Sequence, residues 1–152
     1  MVLVDIREGL ELFDQAFAIH RQIPEFQIDS NTYQQLTERI NHVQQPLIFV
    51  AFVNEQAVGY LMGYERNNSF YIWLAGVLSS HRREGVFVQL MNAIEQWAMK
   101  RNYRLLTIKT RNCFKSMLLF LISHDFKLSE IDQRESIDSH RLLLEKIIAP
   151  KS

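Results

Sequence analysis

A single cysteine, Cys113, stands among the 152 residues, so no internal disulfide can hold the fold together. Neither sign of charge is in excess: Lys plus Arg and Asp plus Glu each number 17, for a formal net charge of zero. A dedicated nucleic-acid binder carries a basic surplus, so that class is not expected. No apolar run approaches the ~18–20 residues of a membrane span. The opening MVLVDIRE meets Asp5 and Arg7 before the apolar core of a secretory leader could form, so no leader is expected. Metal-ligand types are scattered: His81 has only Glu84 near it and His124 only Asp125, so no metal site is expected. What is present is 47% hydrophobic residues, enough for one core and short for two. The expectation is a cytoplasmic, single-domain α/β protein over residues 1–148, with 149–152 as a short tail.

Hydrophobic period places the elements. Residues 2–7 read as a strand. Leu10, Phe13 and Phe17 recur at helical spacing, with Pro24 closing that segment. Asp29 and Ser30 are cap candidates for a second helix carrying Tyr33, Leu36, Ile40 and Val43, which Pro46 ends. Three strand-type runs follow at 47–53, 57–64 and 70–78, with turns at Asn54-Glu55-Gln56 and Asn67-Asn68. The period then changes to 3.6: Val86, Leu90, Ile94 and Trp97 stripe a long helix over 86–100. A strand at 104–110, an apolar helix at 114–123 and strands at 126–131 and 137–147 complete the chain. The order β-α-α-β-β-β-α-β-α-β-β implies a mixed sheet with helices on its faces. The three-strand meander should be antiparallel, and a right-handed crossover should set 104–110 parallel to 70–78.

The informative stretch is VLSSHRREGVF at 77–87, between a strand and the long helix. A helix N-terminus offers unpaired N–H groups and about half a positive charge, so a tight loop before it can converge amides on a phosphate. Gly85 lets that backbone turn without a Cβ in the way, and Arg82 and Arg83 add charge. The same residues also suit a plain solvated loop with a glycine starting the helix.

This loop resembles the acetyl-CoA signature of the GNAT superfamily of N-acetyltransferases, Arg or Gln, two residues, Gly, one residue, then Gly or Ala. Arg82 and Gly85 match it in identity and spacing, and Val77 stands where the preceding strand ends in valine. Phe126, twelve residues past Phe114, resembles the end of a later family segment, and Ser139-His140 leading into Arg141 to Leu144 resembles the closing hairpin. The resemblance covers nearly the whole chain. It implies that the strand around Ala75, Val77 and Leu78 pairs with the pantetheine arm of acetyl-CoA. It implies that the amides of Arg83, Glu84, Gly85, Val86, Phe87 and Val88, beside Arg82, hold the pyrophosphate. A small-molecule or peptide amine would then attack the thioester directly, with no covalent enzyme intermediate.

Departures from the family pattern carry expectations of their own. Phe87 stands where the last small residue belongs; either it turns into the core with the Val86 stripe or it weakens cofactor binding. Asp125 replaces a glycine, and Asp tolerates left-handed backbone angles. Leu121 occupies the place of a tyrosine that protonates the leaving thiolate, and residues 70–76 lack a carboxylate base, so no catalytic residue is assigned. A non-catalytic acyl-CoA-binding or interaction domain on the same fold is the alternative to an enzyme. Cys113 reads as a half-buried structural thiol rather than a nucleophile. Lys100, Arg101, Arg104, Lys109, Arg111 and Lys115 read as solvated, or as help for the adenosine end of the cofactor. Glu25, Tyr60, Tyr64 and Tyr71 are candidates to line the acceptor pocket. The helix at 114–123 is apolar nearly all round and should be buried on several sides, with a homodimer as one way to cover it.

Overall fold

A computed structural model describes residues 2–27 and 32–148. Its strands are β1 (Asp5–Glu8), β2 (Gln44–Val53), β3 (Gln56–Arg66), β4 (Ser69–Val77), β5 (Leu105–Arg111), β6 (Lys127–Asp132) and β7 (Arg141–Ile147). Its helices are α1 (Phe13–His20), α2 (Tyr33–His42), α3 (Val86–Lys100) and α4 (Lys115–Ser123). The order along the chain is the expected one. One seven-stranded sheet runs β1-β2-β3-β4-β5-β7-β6, with β2, β3 and β4 antiparallel and β5 parallel to β4. No helix among the described residues is long and apolar enough to cross a membrane.

Local chemistry explains the boundaries, including those that differ from expectation. Both hairpin turns of the meander put two successive residues at positive φ, Asn54 with Glu55 and Asn67 with Asn68. Two-residue hairpin loops need that geometry, because its twist matches the flanking strands. The cap of α2 is Thr32, whose hydroxyl accepts from the Gln35 amide while the Gln35 side chain accepts from the Thr32 amide. Asp29 and Ser30 lie outside the described residues. Neither proline closes a helix: α1 stops at His20 and Pro24 opens a short 3-10 turn, Pro24–Phe26. Pro46 sits inside β2, where the register slips between Gln44 and Leu47 and a missing N–H is tolerated. β7 begins at Arg141 rather than 137 because Ser136 and Ser139 bond each other's amides and hold a turn there.

The sheet separates two cores. On one face α1 and α2 bury Ala16, Ile19, Leu36 and Ile40 against Ile48, Val50, Tyr60 and Met62. On the other, α3 buries Val86, Leu90, Met91, Ile94 and Ala98 against Leu61, Phe70, Ile72 and Leu106. Full burial of an aliphatic side chain such as Leu90 or Ile94 stabilises by about 1.5–3 kcal/mol. α4 is less covered than its composition suggests. Only Leu121 is fully buried, while Leu119 and Ile122 are exposed, since the helix packs on the sheet along one side.

What positions the site is an interruption in the sheet. β4 and β5 pair only at Phe70–Leu106, Tyr71–Thr107 and Ile72–Ile108, yet β4 runs on to Val77 and β5 to Arg111. The break coincides with a bulge in β4. Met62 faces Leu74 but its neighbour Gly63 faces Ile72, so Trp73 has no partner on β3. A bulge bends its strand and adds twist. Gly63 permits it by close approach: a Cβ there would lie 2.6 Å from both the Tyr71 carbonyl oxygen and the Phe70 ring.

Gly63→Ala should therefore destabilise the fold by about 1–3 kcal/mol through overpacking against backbone that cannot yield. Urea denaturation of the two proteins measures it.

Candidate functional site

The interrupted pairing leaves a cleft of about 160 Å³ that passes between β4 and β5. Its walls are Tyr71 to Ala75 of β4, Ile108 to Arg111 of β5, Phe114 and Met117 of α4, and Arg141 of β7. From the α1 side His20, Glu25 and Phe26 complete it. Strand alternation assigns the β5 side chains: Leu106, Ile108 and Thr110 turn into the core, and Lys109 and Arg111 take the opposite face. Two of the six basic residues read as solvated thus belong to the cleft.

Beside the cleft, the chain from β4 to α3 forms a cradle of backbone donors. Gly85 is the N-cap of α3 with φ of 81°, and Arg83 also takes a positive φ, 68°. The first helical bond is Gln89 N–H to the Gly85 carbonyl. Among the described residues, the amides of residues 83–88 have no acceptor within the chain, and α3 has neither a side-chain cap nor an acid in its first turn. Helix-terminal amides left this way present a concentrated positive end to solvent. A Cβ built on Gly85 would meet nothing within 4 Å, so the space at Gly85 is open.

The remaining signature residues divide between scaffold and loop. Ala75 and Val77 bury their side chains on the α3 face, leaving β4 backbone along the cleft. Leu78 donates its amide to Val58 O at 2.8 Å and packs toward the α1 face. Arg82 does not lean over the cradle. Its Nε donates to the Val77 carbonyl at 3.2 Å and its Nη2 to Glu25 at 2.9 Å, tying the signature loop to the turn after α1. Both partners are about 40% exposed, so the pair is worth ~0–1 kcal/mol and its effect is on position. Phe87 leans away from the cradle and meets Phe120 of α4 edge-on, ring centroids 4.8 Å apart. Arg83 is exposed, Glu84 half-buried, Val86 buried in the core and Val88 on the surface.

Other candidates fall into place. Leu121 is fully buried and takes no part in the cleft, whose α4 wall is Phe114 and Met117. Tyr60 and Tyr64 share the α1 face with Tyr71, but only Tyr71 lines the cleft. Burial raises the Tyr71 phenol above its usual range, so it is neutral at pH 7. Cys113 is exposed rather than half-buried, because it sits in the turn between β5 and α4. His124 ends α4, stacked on Phe120 and bonded to its carbonyl oxygen, and Asp125 after it takes φ of 71°.

The sequence reading missed His20. The last residue of α1, it is buried and lines the cleft, with Nδ1 2.6 Å from the Tyr60 hydroxyl and its ring stacked on Phe26. The signal was there: His20 follows Phe13 by seven residues and Phe17 by three, which puts it on the apolar face of the helix.

A sequence profile of the acetyltransferase (GNAT) family matches residues 10–120. Among solved structures the fold is similar to that of the ribosomal-protein-S18-alanine N-acetyltransferase from Escherichia coli. That likeness has a TM-score of 0.81 at 14% identity, covering 99% of this chain and 97% of that one. It is also similar to Ard1 from Thermoplasma volcanium, with TM-score 0.80, 20% identity, and coverage of 98% and 100%. The PaiA N-acetyltransferase from Thermoplasma acidophilum, crystallised with coenzyme A, gives 0.76 at 15% identity, covering 95% and 99%. No curated protein sequence matches the chain.

Burial lowers the His20 pKa in the fold, while the unfolded chain titrates near the ordinary value of about 6.5. As pH falls through about 6.5 the unfolded state takes up this proton first, so His20 costs stability below that point and nothing above it. Relative to His20→Phe, the wild type should lose up to about 1.4 kcal/mol per pH unit in that acid window. Urea denaturation of both proteins between about pH 5 and 8 gives the difference.

Proposed function

The chain belongs to the acetyltransferase (GNAT) family, and from that premise we propose that it transfers the acetyl group of acetyl-CoA to an amine bound in the cleft between β4 and β5. The observation that carries this reading is the run of unpartnered amides at residues 83–88, opening beside a strand edge that has lost its neighbour. The residues suit a CoA molecule. Six backbone donors and the positive end of α3 match a pyrophosphate, and the open space over Gly85 admits it. The edge of β4 past Ile72 offers backbone groups to the amide-bearing pantetheine arm, around Ala75, with Val77 and Leu78 leading into the cradle. Phe87, held against Phe120, leaves that space clear.

Acetyl-CoA supplies an acetyl group already activated as a thioester. The amine, arriving from the α1 face, attacks the carbonyl carbon; a C–N bond forms, the C–S bond breaks, and the nitrogen sheds a proton. The chain contributes position more than acid or base. Leu121 stands outside the cleft and β4 brings no carboxylate to its wall. Glu25 is held by Arg82. Holding both reactants in one small cleft supplies the entropic part of the barrier, and an ordinary thiol, with pKa about 8.5, leaves as thiolate without a proton donor. The amine's own pKa then decides the rate, since only the neutral form attacks.

Two outcomes follow. Gly85→Val, which strains a left-handed position and fills the open space, should weaken CoA binding about tenfold or more in calorimetry, about 1.4 kcal/mol or above, while Cys113→Ser leaves it unchanged. Near neutral pH, α-amines with pKa ~7.7–8.0 should be acetylated faster than lysine-type amines near ~10.4. Steady-state thiol release from acetyl-CoA over matched amine pairs checks this. CoA binding with no thiol release from any amine would instead favour the non-catalytic acyl-CoA-binding reading.

A further inference from the structure

Resting on the cleft's role as acceptor site, we propose that His20 determines acceptor specificity: its neutral ring, oriented by Tyr60, donates Nε2–H to a carbonyl oxygen adjoining the acceptor amine. The Tyr60 hydroxyl is fully buried, and among the described residues its one hydrogen-bond partner is His20 Nδ1, at 2.6 Å. Two arrangements fit that distance. If Tyr60 donates to Nδ1, both groups are satisfied and the ring hydrogen sits on Nε2. If Nδ1–H donates to Tyr60 instead, the phenolic hydrogen is buried with no acceptor, which costs its full desolvation. An imidazolium has the same defect and adds a charge among Phe17, Phe26 and Tyr60. The lowering of the His20 pKa by burial agrees with a neutral ring.

The Nε2–H so defined is unused. It has no hydrogen-bond partner among the described residues, and it is not one of the sealed, unpartnered polar atoms. It is therefore not sealed from solvent, and the cleft is the space that His20 lines. The titratable and charged groups around it are Tyr60 on β3, Glu25 on the turn after α1, Tyr71 on β4, Lys109 and Arg111 on β5 and Arg141 on β7. The three cations only donate, and Glu25 is engaged with Arg82. A donor so placed suits an acceptor atom brought by the ligand. In a cleft of about 160 Å³, an oxygen within a few bonds of the reacting nitrogen is the arrangement that suits this donor. An α-amino amide or an α-amino acid has this arrangement.

The test compares glycinamide and propargylamine, amines of similar basicity of which only the first has a carbonyl oxygen, with glycine as the carboxylate arm. Wild type should favour glycinamide. His20→Phe should lower kcat/KM for glycinamide about tenfold or more and change propargylamine less than about twofold. His20→Gln, which keeps an N–H donor, should recover part of the loss, and Tyr60→Phe, which removes only a hydroxyl, should give a smaller one. Glycine falling with glycinamide identifies carboxylate as well as amide oxygen; glycine unaffected confines the role to amides. Equal losses on glycinamide and propargylamine would make His20 merely structural and overturn the proposal. Independently of activity, histidine 15N–1H long-range correlation at pH 7 should show His20 protonated on Nε2 alone; a proton on Nδ1 would overturn it. Absence of transfer to all three amines by the wild type would overturn this role, as would transfer unaffected in His20→Phe, whereas absence of thiol release from any amine would overturn the acetyltransferase reading as well.

Discussion

The structure turns on the place where β4 stops pairing with β5. Three pairs of residues hold the two strands together, and past Ile72 and Ile108 each goes on alone. Backbone groups freed from a sheet ordinarily cost stability unless water or a ligand satisfies them. The bulge at Trp73 and the absence of a Cβ at Gly63 hold that break in place. The open edge of β4, the end of α1 and the wall formed by β5 and α4 meet at it, and the loop into α3 follows from the end of β4.

The two faces of the sheet supply different things to the break. The α3 face is a large apolar core that fixes where the helix begins, so the unpartnered amides at its start stand over a rigid base. The α1 face carries the buried polar pair, His20 with Tyr60, and the turn that holds Glu25. Arg82 joins the two sides by bonding Val77 and Glu25 at once. Little energy resides in that exposed ion pair. Its consequence is geometric, since the turn that lines the cleft and the loop that forms the cradle are tied to one guanidinium.

Local features and the sense of the central strand pairings were legible in the sequence, and side-chain contacts between distant segments were not. The asparagine-led turns, the apolar stripe of α3 and the helix-starting Gly85 each depend on neighbours within a few residues, and each appears where expected. Pro46 misled because a proline after an apolar stripe reads as a helix stop, whereas here the strand absorbs it at a register slip. Phe87 was resolved only by knowing that Phe120 lies across from it. His20 meets Tyr60 across 40 residues, and Arg82 meets Glu25 across 57, contacts that no local period encodes. Leu121 was read against a pattern of residue types, and its burial away from the cleft depends on how α4 sits on the sheet.

The measurement closest to the central claim is an NMR titration of 15N-labelled protein with coenzyme A. The account predicts that the largest shifts fall on the amides of residues 83–88 and on those of β4 past the bulge, with α2 and β6 unmoved. Shifts concentrated elsewhere, or none at saturating coenzyme A, would contradict it.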